Sequence, residues 1–435
     1  MRPDVSPDLR RQVSPEIQET AELVGRALEA SEDHPDVSED SGFITPDLFM
    51  GVCDGMGSGP AGEKASKKAT EMFLKSHEQM RPEAGVAEWR NAIGKTLHEA
   101  NREIIKIGHL EIFKISKFLE EKGPGALVLF KSAKDVYRAM QEENWDLSPA
   151  AQQEFAKKSP ADIEKMRLAI EKLGMKIETP AATTVTVAKA LERPDGDYDL
   201  VYGHAGDSRL YILRLDGTLE QITKDQSALQ YFIEQGDLSE EEADTIDQCT
   251  NLDDLDKLID NPKYAELKDE EKKAKIDFFK TLFRSRHGVT SGLGFPDAKF
   301  QTGVARMKPG ERAVLITDGN GDVQTREQLA KNAAHGTPAE AATSINAESV
   351  RINEESDKKE LTGQPKTLRA KHDDKMAIVV QAPEAIQEIS AEEITEEPEE
   401  IGVEEIEVVP IAQLEAEDKK RSAKKIAEIK RAIGM

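Results

Sequence analysis

The sequence is short of cysteine and of long apolar runs, and its basic residues are outnumbered by acids; each of these removes a class of protein. Cys53 and Cys249 are the only cysteines among 435 residues, too few for a disulfide framework or a thiolate metal site. No apolar run approaches the length of a membrane span, and the start, MRPDVSPDLRRQ, lacks the apolar centre of a signal peptide. A cytoplasmic protein is therefore expected. Lysine and arginine total 59 against 84 acids, a formal charge of -25. A phosphate backbone or an anionic membrane would be repelled by such a surface, so neither nucleic acid nor membrane is an expected partner.

The charge is unevenly spread. Residues 384–418 hold fourteen acids and no base, net -14, and residues 419–435 hold seven bases and one acid, net +6; subtracting both from -25 leaves -17 for residues 1–383. The main body is acidic in its own right. Residues 1–20 read as a flexible arm, 21–383 as the folded domain, 384–418 as an acidic linker and 419–435 as a basic helical tail. Within the domain, apolar runs of strand length occur at 48–53, 183–191, 198–215 (two strands meeting at 205–207), 219–223, 311–317 and 376–382. Helical spacing marks residues 60–76 and 86–107, and helical insertions are expected at about 108–178 and 244–284. Short strands linked by turns imply antiparallel pairing.

One stretch, VCDGMGSGPAGEKAS at 52–66, invites two readings. Gly57 to Gly62 spells the dinucleotide fingerprint G-x-G-x-x-G, but no second parallel strand follows the helix, so the fingerprint lacks its context. Asp54 instead stands at a strand end before Gly55, an arrangement suited to a hard cation. Acid-containing turns recur beside strands at 38–40 (SED), 206–208 (GDS), 317–322 (TDGNGD) and 372–375 (HDDK). Carboxylates gathered at one end of a sheet repel one another unless cations neutralise them. The DGNGD run mimics half of an EF-hand loop, yet Val323 and Leu329 stand where that loop needs Gly and Glu.

Taken in order, these pieces resemble the metal-dependent protein phosphatases of type 2C (PPM), most of all their bacterial members. The matching segments are SED, VCDGMGSGPAGEKAS, TLHEANREI (96–104), AATTVTVA (181–188), GHAGDSRLYIL (203–213), the flap region 219–243, TSGLG (290–294), VLITDGNGD (314–322) and DDKMAIVV (373–380). The resemblance implies an α+β fold, a four-layer α-β-β-α sandwich of two antiparallel sheets flanked by helices. It also implies a serine/threonine phosphatase in which water between two Mg or Mn ions attacks phosphorus directly, with a weaker third ion in some members.

By the same resemblance Asp54, Asp318 and Asp374 are the catalytic metal ligands, joined by the Gly55 carbonyl. Glu39 would act through a water, Asp40 would support that site, and Asp207 and Asp322 match the acids of the third ion. A phosphorylated protein is the implied substrate, in a signalling role opposite a serine/threonine kinase. Thr183 and Thr184 read as ordinary strand residues, His204 and His372 as structural histidines, and Cys53 as packed rather than nucleophilic. Three positions depart from the usual pattern. Pro35 stands where many members have a phosphate-gripping Arg, for which Arg26 is a candidate substitute; Lys375 replaces the Asn of the last motif; Met56 replaces a His found in eukaryotic members. The first two leave open an alternative, a pseudophosphatase that binds partners without turnover.

Overall fold

The computed structural model describes residues 23–31, 38–56, 61–123, 130–177 and 179–383. Pro35, part of the glycine turn at 57–60, the arm at 1–20, the acidic linker and the basic tail lie outside the described residues. Two units part after Ala385, and every described residue belongs to the first.

Ten strands carry the domain: β1 (Val24–Glu29), β2 (Ser41–Ile44), β3 (Phe49–Cys53), β4 (Val185–Glu192), β5 (Tyr198–Ala205), β6 (Arg209–Leu213), β7 (Leu219–Gln221), β8 (Gln301–Met307), β9 (Arg312–Ile316) and β10 (Lys375–Gln381). They form two five-stranded sheets, ordered β1-β10-β9-β6-β7 and β2-β3-β4-β5-β8, with every neighbouring pair antiparallel. Side chains alternate across each strand, so each sheet has two faces to cover. Met50, Val52 and Leu200 of one sheet meet Leu210, Leu315 and Ile378 of the other in the central core. Their sequence neighbours point outward, and helices cover them.

On one outer face α1 (Gly62–Glu78) and α2 (Val86–Lys122) bring Phe73, Trp89, Ile93 and Leu97 onto Phe49, Val185 and Val187. The next helices, α3 (Ala133–Glu142), α4 (Pro149–Phe155) and α5 (Pro160–Lys172), pack with the distal half of α2 around Phe113, Phe118 and Val136, a separate core. A third helical group, α6 (Ala228–Glu234), α7 (Glu240–Asp247) and α8 (Asp269–Ser285), closes around Phe279, Phe283 and Ile246. The other outer face is covered after the short α9 (Asp318–Gly321) by α10 (Arg326–Ala333) and α11 (Pro338–Leu361), whose Leu329, Ala341 and Ile345 meet Val314, Ile316 and Val379. Serine or threonine side chains cap α3, α4, α5, α7, α10 and α11 by accepting a first-turn N–H, which satisfies donors that the helix itself cannot. Among the described residues no helix is long and apolar enough to cross a membrane.

Candidate functional site

Register alone collects the acidic turns. Ser41 pairs with Cys53, Val185 with Ala205, and Ile316 with both Arg209 and Ala377. The start of β2, the end of β3, the start of β4, the β5–β6 turn, the end of β9 and the start of β10 therefore share one rim of the sandwich. Glu39, Asp40, Asp54, Asp207, Asp318 and Asp374 all belong to these turns.

Asp54 is held by its main chain. Its N–H donates to Thr184 Oγ1 (3.2 Å), and its carbonyl accepts from Thr183 Oγ1 (2.7 Å) and from the Thr184 N–H (2.8 Å). Thr183 and Thr184, read from the sequence as ordinary strand residues, therefore brace the aspartate. Gly55 follows at a point where a side chain has no room: a Cβ there would lie 2.5 Å from the Glu39 carbonyl and 2.6 Å from the Gly62 backbone. The Glu39 carbonyl in turn accepts from the Gly55 N–H (3.1 Å) and from Ser66 Oγ (2.5 Å), tying the first acidic turn to α1.

Burial, and then the charges of Asp318, Asp40, Asp373 and Asp207, hold the Asp54 carboxyl well above its ordinary range. Asp40 is raised in the same way by burial and by Asp374, Asp373 and Asp318, although Thr317 Oγ1 donates to it (2.8 Å). Asp207 is raised by burial and by Asp318, Asp322 and Asp225. Asp318 is raised by burial, with Lys371 opposing. Asp322 goes the other way: burial raises it, but Lys371, His287 and Arg209 hold it well below. Asp318 Oδ1 and Asp207 Oδ1 are buried without a hydrogen-bond partner.

Asp374 accepts from the main-chain N–H groups of Ser31 (2.6 Å) and Glu39 (2.5 Å), so its carboxylate fastens the turn before β2. The adjacent Asp373, to which the motif gave no role, also acts through its charge: on Asp40 together with Asp374, and on Asp54 and Asp318. Lys371 also went unnoticed in the sequence; its ammonium lies against Asp318, Asp322 and Asp373. Both could have been found only by treating the whole segment 371–375 as site material. Lys375 is buried and donates to the Asp373 carbonyl (2.6 Å).

His204 is fully buried between Thr186 Oγ1 (2.9 Å) and the Lys224 carbonyl (3.1 Å), a structural position, and burial lowers its pKa to about 4. His372 stands 3.0 Å from Asp357 Oδ1. Burial pushes the Cys53 thiol up to about 12, which leaves it inert at neutral pH. Arg26 lies opposite Ile378 in β1, while it is Glu29 that pairs with Lys375 at the rim. The helical group after the flap is fastened beneath the site: Arg209 pairs with Asp225 (2.7 Å) and Asp247 (3.3 Å), Arg286 donates to the Asp322 carbonyl (3.1 Å), and His287 meets the Asp322 carboxylate. From the other helical group, Lys134 in the first turn of α3 lies 3.9 Å from Glu39.

The architecture is the sandwich the motifs imply. No family model matches the chain, and no curated protein does either. Solved structures with similar folds include serine/threonine phosphatase Stp1 from Staphylococcus aureus (16% identity, TM-score 0.47, 82% of this chain and 94% of that one). Another is the serine/threonine phosphatase PstP/Ppp of Mycobacterium tuberculosis (17%, TM-score 0.46, 83% and 98%). A third is the catalytic domain of the phosphatase PstP in complex with two manganese ions (16%, TM-score 0.45, 83% and 98%).

Among the described residues no group of three or more His, Cys, Asp or Glu side chains is placed to hold a metal ion. The donor chemistry nevertheless fits a hard divalent ion. The donors are oxygens, two of them are buried orphans, and the carboxyls repel one another as they stand.

Proposed function

We propose that the chain is a metal-dependent serine/threonine protein phosphatase of the PPM type, acting on phosphorylated protein with Mg or Mn. One observation carries this reading: Asp54, Asp40, Asp207 and Asp318 come from four separate turns to one rim, are buried together, and leave orphan oxygens there. So many mutually repelling carboxyls are unfavourable to a fold unless a cation joins them.

Two divalent ions bound there would acidify water for attack on phosphorus and take up charge on the phosphoryl oxygens. The residues that would hold them are Asp54, the Gly55 carbonyl and Asp318, with Asp373 and Asp374 beside them, Glu39 and Asp40 at the neighbouring turn, and Asp207 and Asp322 for a weaker third ion. The chain's own contribution is positioning. Thr183 and Thr184 fix the Asp54 backbone, Thr317 orients Asp40, and Asp374 draws Glu39 toward the rim through its N–H. Purified protein is expected to hydrolyse p-nitrophenyl phosphate or a phosphothreonine peptide with Mn. Asp54→Ala or Asp318→Ala should lower kcat at least ~100-fold, the scale of a lost electrostatic catalytic group. Turnover that survives EDTA would reject the metal chemistry.

A second reading, a pseudophosphatase that binds a partner without turnover, is favoured by a specific observation: the Lys371 ammonium lies among the acids, and Lys375 donates to the Asp373 main chain beside them. Stoichiometric Mn uptake with no hydrolysis of any phosphopeptide would select it.

A further inference from the structure

The strongest feature that the proposed chemistry does not use is the Lys371 ammonium. It lies 2.5 Å from Asp318 Oδ2, 3.2 Å from Asp322 Oδ2 and 3.1 Å from Asp373 Oδ2. The ammonium donates hydrogen bonds to Asp318 and Asp322, and Asp373 completes the cluster as an ion pair. These separations suit N–H···O contacts; a Mg or Mn ion would draw the same oxygens in to about 2.1 Å.

This is not a loose surface lysine. Its main chain is clamped from both sides by Asn353 of α11: the Lys371 N–H donates to Asn353 Oδ1 (3.0 Å), and Asn353 Nδ2 donates to the Lys371 carbonyl (2.7 Å). Asn353 is itself buried. The helix thus delivers the cation to a fixed place, and the Asp322 oxygen it meets, Oδ2, is shared with His287.

We propose that the Lys371 ammonium is a built-in cation occupying a place among Asp318, Asp322 and Asp373 that would otherwise take a divalent ion, so that the chain binds one ion fewer than its acids could hold. This rests on the metal reading above. Asp54, the Gly55 carbonyl and Asp318 Oδ1 remain for an exchangeable ion, while Asp318 Oδ2, Asp322 and Asp373 share the one internal positive charge, which offsets part of theirs. An internal ammonium cannot be chelated, so that side of the rim keeps its positive charge when metal is scarce.

The test is a count of Mn ions per chain, by isothermal titration and by metal analysis after desalting, on the full-length wild type, Lys371→Met and Lys371→Arg. Lys371→Met is expected to take up one Mn more than the wild type, and its melting temperature to rise further on adding Mn. Lys371→Arg, which keeps the positive charge, should show the wild-type count. Equal counts in Lys371→Met and a metal-binding wild type overturn the inference and leave the metal reading standing; no uptake by either protein overturns both. Should Lys371→Met fail to fold, Lys371→Gln, likewise uncharged and of similar length, is counted in its place, and a count equal to that of a metal-binding wild type overturns the inference.

Discussion

His204 is a histidine removed from its ordinary titration range, and that makes its contribution measurable. Its folded pKa is depressed from 6.5 to about 4 by burial. The neutral ring contributes stability that is fully present above about pH 6.5 and is lost as pH falls toward the folded value, because only the unfolded chain takes the proton. The linkage amounts to about 2–3 kcal/mol between roughly pH 7.5 and pH 4.5. Urea unfolding at those two pH values should show the wild type losing that much more stability than His204→Gln. Equal losses would mean that the ring is protonated inside the fold. At the same scale, sequence could name the acidic turns but not which carboxyl of a turn faces the rim. Asp373 and Asp374 are adjacent, and the turn before β10 sets Asp373 against the Lys371 ammonium and Asp374 on the Ser31 and Glu39 main chain.

Elements were legible where apolar residues ran together. β3, β4, β5, β6, β9 and β10 lie close to the apolar runs, because both faces of these strands are largely buried and most of their residues are apolar. β8 went unread because Gln301–Met307 is a half-exposed edge strand with Gln, Thr, Gly and Arg in it. β2 is only four residues long, and β1 contains the helix-compatible Arg26-Ala27-Leu28-Glu29. The β5–β6 turn depends on Gly206, whose φ is +108° and whose Cβ, if present, would lie 2.6 Å from Thr184 Cβ. Gly206→Ala combines a disfavoured backbone with a clash, and is expected to cost about 2–4 kcal/mol in denaturant unfolding. It should also disturb Asp207, the next residue. A loss below about 0.5 kcal/mol would show that the turn can relax.

Across the whole molecule, composition separated the acidic body from its charged end, and motif order pointed to the sandwich. Strand register, which gathers the acids, was not legible, because pairing is set between segments more than a hundred residues apart, such as β3 and β4. The lobe built by α3, α4, α5 and the distal half of α2 leaves and rejoins the sandwich at one spot: a Cβ on Gly108 would lie 2.8 Å from Pro180 Cγ. Its core is its own. Replacing residues 109–179 with a short Gly/Ser linker is therefore expected to leave a cooperatively unfolding protein, checked by circular dichroism and thermal melting. A chain that no longer folds would show that lobe and sandwich form a single cooperative unit.

The lobe also grows from the middle of a helix. α2 runs unbroken for 37 residues, about 55 Å at the usual rise. Near its start Ile93 and Leu97 press directly on bare backbone at Gly203, where a Cβ would lie 2.2 Å from Ile93 Cγ2. β5 continues from Gly203 to the hairpin that carries Asp207. Gly203 adds no side chain of its own there, so rod and strand are separated only by Ile93 and Leu97, and any tilt of the rod would be felt on the strand that leads to Asp207.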